Sequence, residues 1–277
     1  MTFTLHPATT FTLEQLNDIF VGSFQGYFVP IPSDLKTFTY RLRSEHIDLS
    51  ESLVALVDGK PAGISLTARR VGRTRLAGLG VYPEHRKHGL GQKLTEAFLQ
   101  PALERQDEVL LECFQVNVGA LQLYHKLGFE IQRSLLGYTG SVSPTAHADL
   151  KALSLQEAVA FVREQTEPDL PWQISPDTLI SLPPTAQAYR LQDSVAIVSQ
   201  AGEQLYLRSL VTHKESRHQR QATRLLQAIS SKTGIQQWQA IPVFPETLIR
   251  PLAEKLGWQP SNLQQFEMVL QNPQTQN

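Results

Sequence analysis

Apolar positions along this chain alternate between helical and strand spacing. Leu13, Leu16, Ile19 and Phe20 share one face of a helix over 12–24, with Thr10 or Thr12 as its N-cap. A second helix is predicted over 33–45, capped by Ser33 or Asp34. Apolar runs at 53–57 and 62–68 flank Asp58-Gly59-Lys60, the pattern of a hairpin, and a short strand at 3–5 precedes them all. The next strand, 75–82, ends at Pro83. Leu90, Leu94, Ala97 and Phe98 then form the stripe of a helix from about Gly89 to Gln106, which Pro101 bends. A strand at 109–114, a helix at 120–127 closed by Gly128 and a strand at 129–135 complete the set.

The same order of elements occurs twice. Leu123-Tyr-His-Lys126-Leu127-Gly128-Phe129 recurs as Leu252-Ala-Glu-Lys255-Leu256-Gly257-Trp258, an offset of 129 positions. Arg86-Lys-His-Gly89-Leu-Gly91 is echoed by Arg217-His-Gln-Arg220-Gln-Ala222 at an offset of 131. Two matches at nearly one offset mark an internal duplication. The second copy reads as a helix at 155–164, a proline-rich stretch, strands at 186–191, 195–199 and 204–211, and a helix at 218–231. A strand at 237–241, a helix at 245–256, a strand at 266–270 and a frayed tail over 271–277 follow. The expected domains are 1–140 and 151–277, joined by a linker over 141–150 that contains Ser141, Ser143 and Pro144.

Composition narrows the class without choosing a function. Hydrophobic residues make up 41% and charged residues 18%, the balance of a folded globular protein. The formal net charge is −1, with acidic and basic side chains balanced over 1–140, so no nucleic-acid partner is expected. No apolar run is long enough to span a bilayer and the N-terminus lacks a signal-peptide pattern, so no membrane association and a cytoplasmic location are expected. The single cysteine, Cys113, reads as an inert buried thiol. His85, His88 and His125 lack metal-ligand spacing, and no metal is expected.

Candidate chemistry gathers at two places. Arg86-Lys87-His88-Gly89-Leu90-Gly91 joins a strand to a helix start, where backbone N–H groups and the helix dipole favour a phosphate. Gly89 and Gly91 let the backbone approach such a ligand, and Arg86, Lys87 and His88 add donors and charge. Asn117 and Tyr124 follow the strand 109–114; Asn117 reads equally as a helix N-cap or a ligand contact. Glu112 lies in an otherwise apolar strand, either as a base with a raised pKa or as the partner of an arginine. Phe24, Tyr27 and Phe28 form, with Phe20, an aromatic cluster that reads as core or as the wall of an acceptor pocket. An anion cradle beside a positioned phenol points to an enzyme that uses a phosphate-bearing carrier.

These residues resemble the GNAT N-acetyltransferase superfamily. Val81-x-Pro83-x-x-Arg86-x-x-Gly89-x-Gly91 is similar to its acyl-CoA pyrophosphate loop. Asn117-x-x-Ala120-x-x-Leu123-Tyr124-x-Lys126-Leu127-Gly128-Phe129 is similar to its second conserved motif. The resemblance implies an α/β (α+β) fold of two tandem domains. Each would be a mixed, mostly antiparallel sheet flanked by helices, with two central parallel strands splayed apart for the cofactor. It implies acetyl-CoA as co-substrate and a small-molecule or peptide amine as acceptor, joined by direct attack in a ternary complex. The pantetheine arm would pair with Leu79, Gly80 and Val81, where Gly78 and Gly80 suit a strand bulged or opened to let another chain approach. Tyr124 would donate a proton to the departing sulfur, and Glu112 stands where some members carry a base.

The second copy departs from this pattern. Arg220 replaces Gly89, Ala222 replaces Gly91, Ala253 replaces Tyr124 and Glu246 replaces Asn117. It is expected to be a degenerate domain without acyl transfer of its own. A different reading of the whole chain is a non-catalytic acyl-CoA-binding sensor or assembly module. The acceptor's identity, the acyl chain length and the oligomeric state are not encoded in these motifs.

Overall fold

The computed structural model describes residues 3–167 and 169–271. Most of the tail expected to fray lies outside the described residues. The first copy supplies β1 (Phe3–Pro7), α1 (Leu13–Ser23), α2 (Leu35–Ser44), β2 (Ile47–Val57), β3 (Lys60–Arg70) and β4 (Arg73–Val81). Then come α3 (Leu90–Glu104), β5 (Glu108–Phe114), α4 (Val118–Lys126) and β6 (Phe129–Ser141). The second copy supplies β7 (Lys151–Leu153), α5 (Leu155–Gln165), α6 (Pro176–Leu179), β8 (Gln187–Leu191), β9 (Ser194–Ala201) and β10 (Gln204–Thr212). It ends with α7 (Gln221–Thr233), β11 (Gln237–Pro245), α8 (Glu246–Leu256), β12 (Gln259–Pro260) and β13 (Gln265–Leu270).

The chain divides into two compact units, but not at the expected linker. The first unit runs to Cys113, includes Asn117–Gln132 and takes the stretch from Glu267 onward. The second holds Phe114–Val116 and Arg133–Phe266. Each copy thus lends its closing strand to the other unit. β6 pairs antiparallel with β11, and β13 lies beside β5. A strand edge requires N–H and C=O partners, and any extended segment of suitable pattern supplies them. The duplicated sequence specified the strands without specifying which sheet receives them.

In the first unit the sheet order is β1-β2-β3-β4-β5-β13. β1 to β4 pair antiparallel, and β4 and β5 pair in parallel from Arg73↔Glu108 to Leu76↔Leu111. That pairing stops at Leu76 although β4 continues to Val81 and β5 to Phe114. The register between β3 and β4 shifts across Ala77, which is left as a bulge at the point where the strands part. A capping box at Thr12 starts α1, and the Asp34 carboxylate accepts from Thr37 N at 2.8 Å to start α2.

Side-chain alternation along β4 sorts its two faces. Leu79 and Val81 pack with Leu90 and Leu94 of α3, while Gly78 and Gly80 face Phe20 and Ser23 of α1 and Phe24 just after it. A Cβ at Gly80 would lie 2.6 Å from Ser23 Cβ and 2.8 Å from the Phe24 ring. The β4 glycines therefore admit α1 to the sheet, beside the bulge at Ala77.

The second unit repeats this plan, with sheet order β6-β11-β10-β9-β8-β7 and β12 added on β6. β10 and β11 pair in parallel only from Gln204↔Gln237 to Leu207↔Ala240. A register shift leaves Arg208 as the bulge, 131 positions after Ala77. Leu225, Leu226 and Ile229 of α7 pack with Trp238, while Val159 and Val162 of α5 cover Val195 and Ile197 on the opposite sheet face.

Gly80→Ala should overpack the α1 contact and destabilise the protein by about 1–3 kcal/mol in urea unfolding. Gly119→Ala, where a Cβ meets nothing within 4 Å, should be neutral or stabilising by up to about 1 kcal/mol. Equal effects of the two substitutions would contradict this packing.

Candidate active site

The loop between β4 and α3 turns on two left-handed residues, Lys87 at φ 64° and Gly89 at φ 82°. Gly89 is the N-cap of α3 and has no side-chain cap, and the first turn carries no acidic residue. The N–H groups of Leu90, Gly91 and Gln92 have no acceptor within the helix. They stand at the positive end of a 15-residue dipole. A Cβ at Gly89 would meet nothing within 4 Å, so the space beside these donors is open. Gly91 faces inward, where a Cβ would lie 3.7 Å from Leu123 of α4 and 3.8 Å from Val81. Lys87 and His88 are exposed on the loop.

Arg86, an expected phosphate donor, is held by backbone carbonyls. Its Nε donates to Val81 O at 2.9 Å, and its Nη2 donates to Gln25 O at 2.7 Å and Ser23 O at 3.3 Å. The guanidinium clamps the loop to the end of β4 and to the chain leaving α1. Arg217 does the same in the second copy, donating to Thr212 O at 3.3 Å and Gln165 O at 2.8 Å. An arginine retained where the glycines are lost was the sequence signal for a structural role.

The second cluster lies where β5 leaves β4. Tyr124 is 7% exposed, its ring 5.9 Å edge-on from Phe129, and its hydroxyl has no hydrogen-bond partner among the described residues. Burial holds the Tyr124 hydroxyl well above the usual phenol pKa, and the neighbouring Cys113 and Tyr27 act in the same direction. Burial also pushes the Cys113 thiol up to about 12, which fits an inert thiol. Tyr27 is raised to about 12 by burial and by Cys113, against a hydrogen bond from the Asn117 side chain and the charge of Arg41. Asn117 caps α4 as well, accepting from Ala120 N at 3.3 Å. Phe24, Tyr27 and Phe28 stack edge to edge at 5.1 and 5.2 Å, and Phe28 is 47% exposed. The aromatic cluster therefore runs from core, at Phe20, to surface, and Tyr27 ties it to the start of α4.

Glu112 does not stand alone in its apolar strand. Its Oε2 lies 2.6 Å from Arg75 Nη2, and both side chains are nearly sealed from solvent. Arg75 also reaches Glu45 at 2.7 Å, and Arg41 pairs with Glu45 at 3.2 Å while donating to the bulge carbonyl of Ala77. Burial opposes ionisation of Glu45, but Arg41 and Arg75 outweigh it and lower its pKa. Arg75 is held firmly protonated: burial works against its charge, and Glu112 and Glu45 overcome it. The parallel register places Arg75 opposite Leu110, so Glu112, two residues on, shares its sheet face. Arg75, Arg41 and Glu45 escaped the sequence reading, though an arginine and a glutamate inside adjacent apolar strands were the available signal.

The loop and cluster adjoin through α4, whose Leu123 faces Gly91 and whose Lys126 Nζ donates to Gln92 Oε1 at 3.0 Å. Residues 13–129, which contain all of these groups, match the sequence profile of the acetyltransferase (GNAT) family. This segment is a GNAT-family domain. The whole chain has the tandem GNAT fold. A tandem GNAT protein from the clavulanic acid biosynthesis pathway is 13% identical, with 97% of each chain covered and a TM-score of 0.67. A GCN5-related N-acetyltransferase from Sphaerobacter thermophilus is 14% identical over 96% of this chain and 95% of its own, also at 0.67. A putative acetyltransferase from Pyrococcus horikoshii is 15% identical over 98% and 89%, at 0.69. No curated protein matches the chain in sequence. The GNAT family performs acyl transfer from acyl-CoA. No helix among the described residues is long and apolar enough to cross a membrane.

Arg75→Met should leave Glu45 and Glu112 buried without their counter-charge and destabilise the protein by about 3–5 kcal/mol at pH 7. Because the folded pKa of Glu45 is depressed, its stabilising contribution is complete above the ordinary carboxylate value of ~4.3 and is lost as pH falls through the folded value. The gap between wild type and variant in urea unfolding should therefore narrow toward pH 3. A gap independent of pH would contradict the ion-pair account.

Proposed function

We propose that the first copy is an N-acyltransferase that moves the acetyl group of acetyl-CoA to a primary amine of a small molecule or peptide, by direct attack within a ternary complex. The observation that carries this reading is the uncapped start of α3, opening beside a gap in strand pairing next to the unpartnered Tyr124 hydroxyl. The donors of Leu90, Gly91 and Gln92 suit the diphosphate, with Lys87 and His88 at its flank. Leu79, Gly80 and Val81 lie on β4 beyond its last pair with β5, where gap-facing backbone groups can take an extended amide-bearing arm as an added strand. The wall of Phe24, Tyr27 and Phe28 suits the acceptor.

In the reaction the amine nitrogen forms the new C–N bond, the C–S bond breaks, and its electron pair leaves on sulfur. Holding both reactants in line supplies much of the rate, with effective molarities of roughly 10⁵ M or more. Backbone N–H groups of β4 stabilise the developing oxyanion. Tyr124 stays protonated across the neutral range and donates its O–H to the departing thiolate. A phenol less acidic than the thiol it serves gives mainly a hydrogen bond, and the proton released by the amine completes the balance. Glu112, fixed by Arg75, acts as a positioning residue for β5.

Tyr124→Phe should lower turnover by about 10²–10⁴-fold with acetyl-CoA affinity nearly unchanged. Thiol release from acetyl-CoA across a panel of amines reads this directly, and equal turnover by the two proteins would remove Tyr124 from the mechanism. Tight acetyl-CoA binding with no thiol release for any amine would leave a binding module. Gly89→Arg, which copies the second domain, should abolish acetyl-CoA binding in calorimetry; normal binding would mean the cradle is misplaced.

A further inference from the structure

The cradle of the first copy has a counterpart in the second with inverted chemistry. The loop before α7 keeps the same backbone, with His218 at φ 65° and Arg220 at φ 63° where Lys87 and Gly89 stand. An arginine in the left-handed region is less favourable than glycine by roughly 1 kcal/mol. Arg220, Arg224 and Lys255, with Thr223 and Gln227, line a cleft of about 440 Å³. None of the three cations makes an ion pair or side-chain hydrogen bond with a described residue. In the first copy the matching positions are Gly89, Lys93 and Lys126, and there Glu96 takes Lys93 in an ion pair at 2.9 Å. Gln227 replaces Glu96, so the second copy has gained a cation at the loop and lost the neighbouring carboxylate.

We infer that this cleft, formed by α7 and α8 of the second unit, is a binding site for a compact polyphosphate anion. The proposal is independent of acyl transfer by the first copy. Three unpaired cations line one cleft, and a multiply charged anion offsets their like charge while accepting their donors. Arg220, standing where the first copy has Gly89, offers a phosphate its guanidinium. Thr223 and Gln227 offer further donors. The lining contains no aromatic or aliphatic side chain, so a nucleoside base finds no wall, and recognition rests on the phosphates.

The test is calorimetric titration of the full chain with inorganic tripolyphosphate and, separately, orthophosphate and ATP. The wild type should bind tripolyphosphate, with ATP no tighter and orthophosphate much weaker. The triple variant Arg220→Gln, Arg224→Gln, Lys255→Gln should lose at least tenfold in affinity at this site with an unchanged thermal midpoint. The variant Lys93→Gln, Lys126→Gln, which alters the matching places of the first copy, should retain it. Equal binding by wild type and triple variant, no binding by the wild type, or loss only in the first-copy variant would each overturn the proposal.

Discussion

The parting of β4 and β5 after the Leu76↔Leu111 pair is the constraint from which the candidate site follows. Two parallel strands that continue past their last pair leave N–H and C=O groups without partners, which is unfavourable unless something holds them apart. Here the divergence is anchored by charge. Arg75 bridges Glu112 of β5 and Glu45 beyond α2, and Arg41 takes the carbonyl of the Ala77 bulge. A buried ion pair contributes little net stability but makes one arrangement of its surroundings much better than its neighbours. In this fold that arrangement is an open one. The α1 face carrying Phe20 then closes over Gly78 and Gly80, and α4 holds Tyr124 near Cys113 of β5.

The two units show one backbone carrying two different sets of side chains. Both have a bulge at the same place, a parallel pair that stops early, a clamp arginine, and a loop with two left-handed residues before a helix. The first keeps glycine at the helix start and a tyrosine after the splayed strand. The second places Arg220 and Ala253 there. Loop geometry is therefore a property of the fold, set by the clamp of Arg86 or Arg217. What the loop can bind is set by the residues standing on it.

Much of this was legible in the chain. Helical and strand spacing located most elements, because each unit buries one face of its helices, but β2 starts at Ile47 and β6 runs to Ser141, well beyond their expected bounds, and β7, α6 and β12 carried no such pattern. The duplication was visible in Lys-Leu-Gly-aromatic and Arg-x-x-Gly spacing, and the early end of the parallel pair followed from the family resemblance. Three features were hidden because they depend on who meets whom in space. The exchange of β6 and β13 between units leaves no local mark, since an edge accepts any well-patterned strand. The role of Arg86 required knowing that Val81, Ser23 and Gln25 turn their carbonyls toward it. The Arg75–Glu112 pair required the register of two strands more than thirty residues apart in sequence.

The central claim is that one loop of the two, the one opening on Gly89, holds the acyl carrier. Calorimetric titration of the full chain with acetyl-CoA measures this directly as a stoichiometry. One molecule bound per chain is the predicted result. Two sites of equal affinity per chain, or none, would contradict the account.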